Sequence, residues 1–247
     1  MADASQAAPF LSIVIPAYNE EQRILPTLQQ LDAYLATQSY IAEIVVVDDG
    51  SADATTQVVL DYAATHRNVR LIGNPHHGKG YAVKTGMLAA TGQFRFLCDA
   101  DLSMPAEQLE RFLPPRLTAF DIAVGSREAV GARRYDEPPY RHLMGRIFNL
   151  LVQAVAVPGI RDTQCGFKCF RAAVAEAVFP LQRIDGFAFD VEVLFLARQS
   201  GFRLVEIPID WYFGDRSTVR PVADTLRMFK ETLGIRWRAL RGGYRER

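Results

Sequence analysis

"EIVVVDDGSAD", residues 43–53, puts four β-branched residues in a row and follows them with two aspartates, a glycine and a serine. An uninterrupted Ile/Val run, rather than an alternating one, is the pattern of a strand covered on both faces, as in a parallel sheet. The same grammar recurs on either side. "LSIVI" (Leu11 to Ile15), "VRLIG" (Val69 to Gly73) and "FRFLCD" (Phe94 to Asp99) are short apolar runs, and segments with helical periodicity lie between them at about 20–37, 53–66 and 79–91. Strands alternating with helices predict crossover units and a mostly parallel central sheet flanked by helices, an α/β fold. Ligands of such sheets bind outside the carboxyl ends of the strands. "PAYNEE", "DDGSAD", "NPHHGKG" and "DADLS" all fall there, so four polar loops are expected to share one site.

The second half reads differently. A strand at "DIAVGSR" (Asp121 to Arg127) leads into an Arg-rich loop, a long apolar helix at about 140–157 and "DTQCGFKCF" (Asp162 to Phe170). Helices near 171–179 and 188–200, the strand "RLVEIPI" (Arg203 to Ile209) and a last helix at about 221–240 complete the chain. No linker, repeat or low-complexity segment divides the 247 residues, which predicts one continuous domain.

The composition, 49% hydrophobic and 23% charged, is that of an ordinary globular protein. No basic segment followed by an apolar core opens the sequence, so no signal peptide is expected. "IFNLLVQAVAVPGI" (Ile147 to Ile160) is too short, and too interrupted by Asn149, Gln153 and Pro158, to span a bilayer. The chain is therefore expected to be soluble or peripheral. Three cysteines suit a reduced cytoplasmic protein, and Cys165 and Cys169, with no His nearby, read as core thiols rather than zinc ligands. Residues 216–247 hold nine Lys/Arg against three Asp/Glu, leaving nineteen against twenty-five in the rest, so a basic tail follows an acidic body and points to an anionic surface or partner.

Along a strand, residues two apart face the same side, which would bring Asp99 and Asp101 to one spot. Like charges there raise each other's pKa unless a cation accompanies them. Hard oxygen ligands with phosphate completing the shell suit Mg²⁺ or Mn²⁺. The alternative is that Asp101 and Ser103 start the helix announced by Pro105. Of Asp48 and Asp49, one can cap the helix after Ser51 while the other accepts hydrogen bonds from a base or ribose. Gly78 and Gly80 of "HHGKG" would let backbone N–H groups approach a diphosphate, with Lys79 adding a point charge, although the spacing is not that of a P-loop.

"VIPAYNEE", "VVVDDGSAD", "GKGYAVKTGMLAATG" and "DADLS", in this order, resemble the inverting glycosyltransferases of family 2, which have a GT-A fold with a Rossmann-like N-terminal half. "VGSR", "GIRDTQCGFKCF" and "FAFDVEVLFLA" narrow the resemblance to the dolichyl-phosphate β-glucosyltransferase branch, kin of the dolichyl-phosphate mannosyltransferases. The likeness implies a division into a nucleotide-sugar-binding half at about 10–125, an acceptor-binding half at 126–215 and an amphipathic helix at 221–240. It implies that Pro16, Tyr18 and Glu20, with Asp48 or Asp49, hold the base and ribose. Asp99 and Asp101 would hold the metal and donor diphosphate, with Ser103 as a third metal ligand. Arg127 and Arg141 would hold the acceptor phosphate, while Arg133 and Arg134 read as solvated charges. Asp162, Gln164 and Asp190 would line the acceptor side, Asp190 being the candidate base; alternatively Asp162 caps a turn and Asp190 begins a helix. The mannosyltransferases often carry Gln where Ser103 stands, and the eukaryotic glucosyltransferases begin with a membrane-spanning helix that has no counterpart in this sequence.

These features imply transfer of a hexose, glucose from UDP-glucose in the first instance, to polyprenyl or dolichyl phosphate with inversion and a divalent metal. The alternatives are a GDP-mannose-dependent enzyme, transfer to a saccharide hydroxyl, and a nucleotide-sugar-binding protein without activity. Against processive synthases, Leu233 stands where their QxxRW motif has Gln before Arg236 and Trp237. Val222, Leu226, Phe229, Leu233, Trp237 and Leu240 form an apolar stripe flanked by Arg and Lys, the pattern of an interfacial helix or of a helix docked on the core. The helix at 140–157 is a second candidate for an interfacial element. The expected partners are a nucleotide sugar, a polyprenyl-phosphate lipid and a membrane surface, with no nucleic acid, and the expected location is the cytoplasmic face of a membrane.

Overall fold

The computed structural model describes residues 8–214 and 221–244, the side chains of 221–226 excepted. Nine strands are formed among these residues: β1 Leu11–Ala17, β2 Ala42–Asp48, β3 Val69–Gly73, β4 Phe94–Leu97, β5 Ile122–Ser126, β6 Arg133–Tyr135, β7 Lys168–Arg171, β8 Leu204–Pro208 and β9 Asp210–Tyr212. The helices are α1 Ile24–Leu35, α2 Thr55–Ala63, α3 Lys79–Ala89, α4 Pro139–Val155, α5 Ala172–Val178, α6 Phe189–Gln199 and α7 Pro221–Leu240.

Seven strands make one sheet in the order β3-β2-β1-β4-β7-β5-β8, and β6 pairs with β9 in a separate ribbon. Every pairing in the large sheet is parallel except those of β7, which runs antiparallel between β4 and β5. The apolar runs are continuous because alternate residues serve two cores. Val14, Val45, Val47, Leu97 and Val124 pack toward α3, α5 and α6. Ile13, Ile15, Ile44, Val46 and Phe96 pack toward α1 and the 3₁₀ helix at Ala106–Phe112. On α1, Ile24, Thr27, Leu28, Leu31 and Leu35 recur at three- and four-residue steps and are the buried face.

The long C-terminal helix α7 packs beside α4 and α6 through Met228, Thr232 and Ile235, all buried. Arg238 and Tyr244 both bond the fully buried Glu192 of α6. The apolar stripe expected from periodicity is not the docked face: Phe229 is half-buried, whereas Leu233, Trp237 and Leu240 are exposed. Its other two members, Val222 and Leu226, lie outside the described side chains. The adjacent α4 also turns apolar residues outward, Leu143 and Leu150 each at 61% exposure with Tyr140 and Ile147 beside them. No helix among the described residues is long and apolar enough to cross a membrane.

Candidate active site

A cavity of about 700 Å³ opens at the carboxyl ends of the parallel strands. Pro16, Tyr18 and Glu20 reach it from the end of β1, Asp49 from β2, His76 to Lys79 from β3, Asp99, Asp101 and Ser103 from β4, and Arg127 from β5. Arg141, Asp162, Gln164 and Asp190 close the opposite side, with Trp211 and Phe213 of the β9 segment. Of the residues that sequence assigned to the site, Asp48 and Gly80 are not on this wall.

The two aspartates after β4 do not sit on a strand. The chain leaves the sheet at Leu97 and turns, with the Leu102 amide donating to Asp99 O and Leu102 itself at φ +42°. Asp99 lies against Gly166, where any side chain would overlap its carboxylate. Its cation is Lys79, whose Nζ stands 2.6 Å from Asp99 Oδ1. Burial opposes charge on Asp99, but Lys79 outweighs it and holds the carboxyl below the usual range. Asp101 projects from the rim, with its Oδ1 accepting from Ser103 N at 3.2 Å and Ser103 Oγ at 2.8 Å. The Ser103 hydroxyl thus braces Asp101. The helix that Pro105 announces is only the 3₁₀ segment, and neither Asp101 nor Ser103 caps it.

The loop after β2 departs from expectation. Asp48 Oδ1 accepts from Ser51 N and Ser51 Oγ and its Oδ2 from Thr56 Oγ1. Asp49 accepts from His77 N at 3.1 Å and Gly78 N at 2.8 Å and pairs with His76 at 2.8 Å. Neither aspartate caps α2. Asp48 is buried away from the cavity and held by Ser51 and Thr56, whereas Asp49, bonded by the 76–78 segment, borders the cavity. The glycines of "HHGKG" also differ. The Gly78 amide goes to Asp49 and the Gly80 amide to Asp185 O at 2.7 Å. A Cβ at Gly78 or Gly80 would press within 2.6 Å of the carbonyl of Asp185 or Ile184, so both glycines serve the approach of that segment rather than a phosphate nest. What remains for a nucleotide is an aromatic surface: Tyr18 stacks on His76 with ring centroids 4.1 Å apart. Glu20 is bonded twice by Arg23, and burial nonetheless pushes its carboxyl up.

On the far side, Asp162 receives Arg127 through Nε at 2.7 Å, Nη2 at 2.8 Å and the backbone amide at 2.9 Å. This fork-to-carboxylate geometry outweighs burial and keeps Asp162 below the ordinary carboxylate range. Asp162 therefore orients Arg127 and does not cap a turn. Arg127 and Arg134 lie over the Trp211 ring, at 5.1 and 6.0 Å, and Arg141 over Phe213 at 5.2 Å. Arg133 is exposed, but Arg134 is held by Glu128 and Glu137 and belongs to the wall. Asp190 is in the first turn of α6, where its carboxylate goes to Lys168. Cys98, Cys165 and Cys169 are free and buried, and burial pushes the Cys165 thiol up to about 12, so none is a metal ligand in waiting.

Sequence reasoning passed over Lys168, His76, Trp211 and Phe213, and read Arg134 as a solvated charge when it is part of the wall. Lys168 alone carried a usable signal, a cation in the middle of the apolar run "GFKCF".

A cavity built from four acidic and glycine-bearing loops on one side and arginines over aromatic rings on the other suits a phosphorylated donor facing an anionic acceptor. The chain belongs to glycosyl transferase family 2, whose model matches residues 12–179. Within that family it is 36% identical to the dolichyl-phosphate beta-glucosyltransferase ALG5C of Trichomonas vaginalis, over 84% of this chain and 65% of that protein. It is 35% identical to the dolichyl-phosphate beta-glucosyltransferase of Saccharomyces cerevisiae, over 96% of this chain and 77% of that protein. The fold is that of GT-A glycosyltransferases. Glucosyl-3-phosphoglycerate synthase from Mycobacterium tuberculosis superposes with a TM-score of 0.71 at 16% identity in its complex with phosphoglyceric acid, over 94% of this chain and 81% of that one. The same synthase with Mn²⁺, UDP-glucose and phosphoglyceric acid gives 0.69 at 16% identity, over 93% and 79%.

Proposed function

We propose that this glycosyltransferase moves glucose from UDP-glucose to a polyprenyl phosphate such as dolichyl phosphate, with inversion, at a membrane surface. The observation that carries the reading is the two-sided cavity beside an outward apolar face: donor loops on one wall, Arg127 and Arg141 on the other, and α4 and α7 alongside. The names of the curated relatives support the glucosyl and dolichyl phosphate parts, and the UDP-glucose complex of a protein with the same fold supports the donor.

The nucleobase lies on the Tyr18–His76 stack, and Lys79 adds positive charge beside the diphosphate. No group of three or more His, Cys, Asp or Glu side chains suited to a metal occurs among the described residues. With Asp99 already gripped by Lys79, the rim carboxylate of Asp101 is the main protein ligand on offer. A site of one or two carboxylate oxygens, completed by diphosphate and water, fits Mg²⁺ or Mn²⁺. Such a cation, when bound, offsets the charge that develops on the departing diphosphate.

Arg141, with no carboxylate partner among the described residues, receives the lipid phosphate, and Arg127 presents the rest of its Asp162-anchored fork. A phosphate monoester with a second pKa near ~6 is already ionised at neutral pH. Its oxygen bonds to the sugar C1 as the C1–O bond to the diphosphate breaks, so no proton needs to be removed first.

Trp237 at 58% and Leu240 at 81% exposure, with the outward side of α4, form the apolar part of the membrane-facing surface, and Lys230, Arg236 and Arg241 supply its basic flank.

The test is a donor screen on vesicles containing a short polyprenyl phosphate, with Mn²⁺ or Mg²⁺, reading lipid-linked sugar. Glucosyl lipid from UDP-glucose, lost on chelation, is the expected product. Mannosyl lipid from GDP-mannose, or product only with a soluble saccharide, would overturn the reading.

A further inference from the structure

Lys168 is a cation where a fold of this kind has least use for one. It opens β7, paired with Leu97 of β4 on one side and Val124 of β5 on the other, in the interior of the seven-stranded sheet. It is 1% exposed. Removing an ammonium from water costs several kcal/mol even after relaxation, and replacing a buried ion pair by apolar residues is often neutral or stabilising. Stability alone does not explain it.

Its contacts give a direction. Lys168 Nζ donates to the Cys165 carbonyl and, at 2.6 Å, to Asp190 Oδ1. Lys168 itself does not reach the cavity, whereas Asp190 lines it. No described residue donates a hydrogen bond to the other oxygen of Asp190. One oxygen is therefore anchored from behind the wall and the other is available in front of it. The charged groups that act on Asp190 are Lys168 from β7, Lys79 from α3 and Asp99 from the loop after β4, and Asp190, Lys79 and Asp99 line the same cavity.

We infer that Lys168 is a positioning residue for glycosyl transfer: from behind the cavity wall it fixes the Asp190 carboxylate so that its second oxygen accepts hydrogen bonds from hydroxyl groups of the bound hexose. The inference rests on the functional reading above. Burial drives the Asp190 carboxyl upward, and Lys168 is the largest opposing influence, consistent with a lysine kept for the sake of that one carboxylate.

UDP and UDP-glucose separate this role from a merely structural one, because UDP carries no hexose. In the purified full chain, Lys168→Met is expected to lower kcat with UDP-glucose tenfold or more while UDP affinity by calorimetry stays within threefold. Added to Asp190→Asn, it is expected to change kcat no further, within twofold, since its target is already neutralised. Unchanged kcat in Lys168→Met, or a tenfold loss of UDP affinity with it, would overturn the inference. So would losses that multiply in the double variant. Should Lys168→Met alone fail to fold, the double variant leaves no unpaired buried charge, and its comparison with Asp190→Asn decides alone. The unmodified protein in the same assay tests the functional reading separately: if it makes no glucosyl lipid, that reading fails, and the same variants are then compared with whichever donor sugar it does turn over, against binding of that donor's nucleoside diphosphate.

Discussion

Two acidic loops stand at strand ends of one sheet on either side of β1, Asp48 and Asp49 after β2 and Asp99 and Asp101 after β4, and their carboxylates have been put to different uses. After β2, every bond is to nearby protein: Ser51 and Thr56 satisfy Asp48, and the 76–78 segment after β3 satisfies Asp49. After β4, one carboxylate faces a lysine and the other, braced by Ser103 and 4.0 Å from Arg23, stands at the opening. What separates them is the donor within reach. Adjacent aspartates followed by Gly50 are enclosed by donors from nearby loops, three to each carboxylate, which leaves them little acceptor capacity for a ligand. In the D-A-D arrangement the chain turns after the strand, and Lys79 comes from another element to meet only the first aspartate.

The largest expected consequence is at the rim. Asp101→Asn should reduce transfer on the order of 10²–10³-fold, the scale of removing one preorganised electrostatic group, while leaving the thermal midpoint within about 2 °C because the residue is exposed. Activity near that of the unmodified chain would remove the distinction between the loops. Lys79→Met comes next, since it strands Asp99. The ammonium and the carboxylate are 26% and 29% exposed, so a loss of about 2 kcal/mol in urea unfolding is expected, below the ~3–5 kcal/mol of a fully buried pair. Asp99 is held below its unfolded value of ~3.9, so its contribution is present above that pH and is lost as pH falls through the folded pKa. The gap between the two proteins should therefore be full at neutral pH and narrow toward and below about pH 4. A gap constant from pH 3 to 7 would show that Lys79 acts by packing alone.

How much of this could be read beforehand depends on sequence range. The first four strands and the loops that end them were legible, because a two-face strand needs an unbroken Ile/Val run, and such runs are local. The antiparallel insertion of β7 was not, because its charge, Lys168, is neutralised by Asp190 of helix α6, more than twenty residues further along the chain. The fate of the Gly78 and Gly80 amides was hidden for the same reason: the segment around Asp185 that consumes one of them returns from about a hundred residues away. Helical periodicity located α7 but could not say which of two stripes docks. Met228, Thr232 and Ile235 do so, and Leu233 and Trp237 are left outside.

The smallest effect bears most directly on the comparison. Asp48→Asn keeps one acceptor but loses the charge that strengthens three hydrogen bonds within the loop, one of them to a backbone amide. A loss of about 1–2 kcal/mol in stability is expected. Turnover by the folded enzyme should stay within threefold, since Asp48 is not on the cavity wall. The opposite pattern, a tenfold or greater rise in donor KM with stability unchanged, would mean that the β2 loop opens to hold the nucleotide and that the hydrogen bonds seen here are those of a closed, donor-free arrangement. Measuring urea unfolding and donor KM on one preparation separates the two cases, because a carboxylate satisfied by its own turn must show its effect in folding, and one that grips the donor must show it in KM.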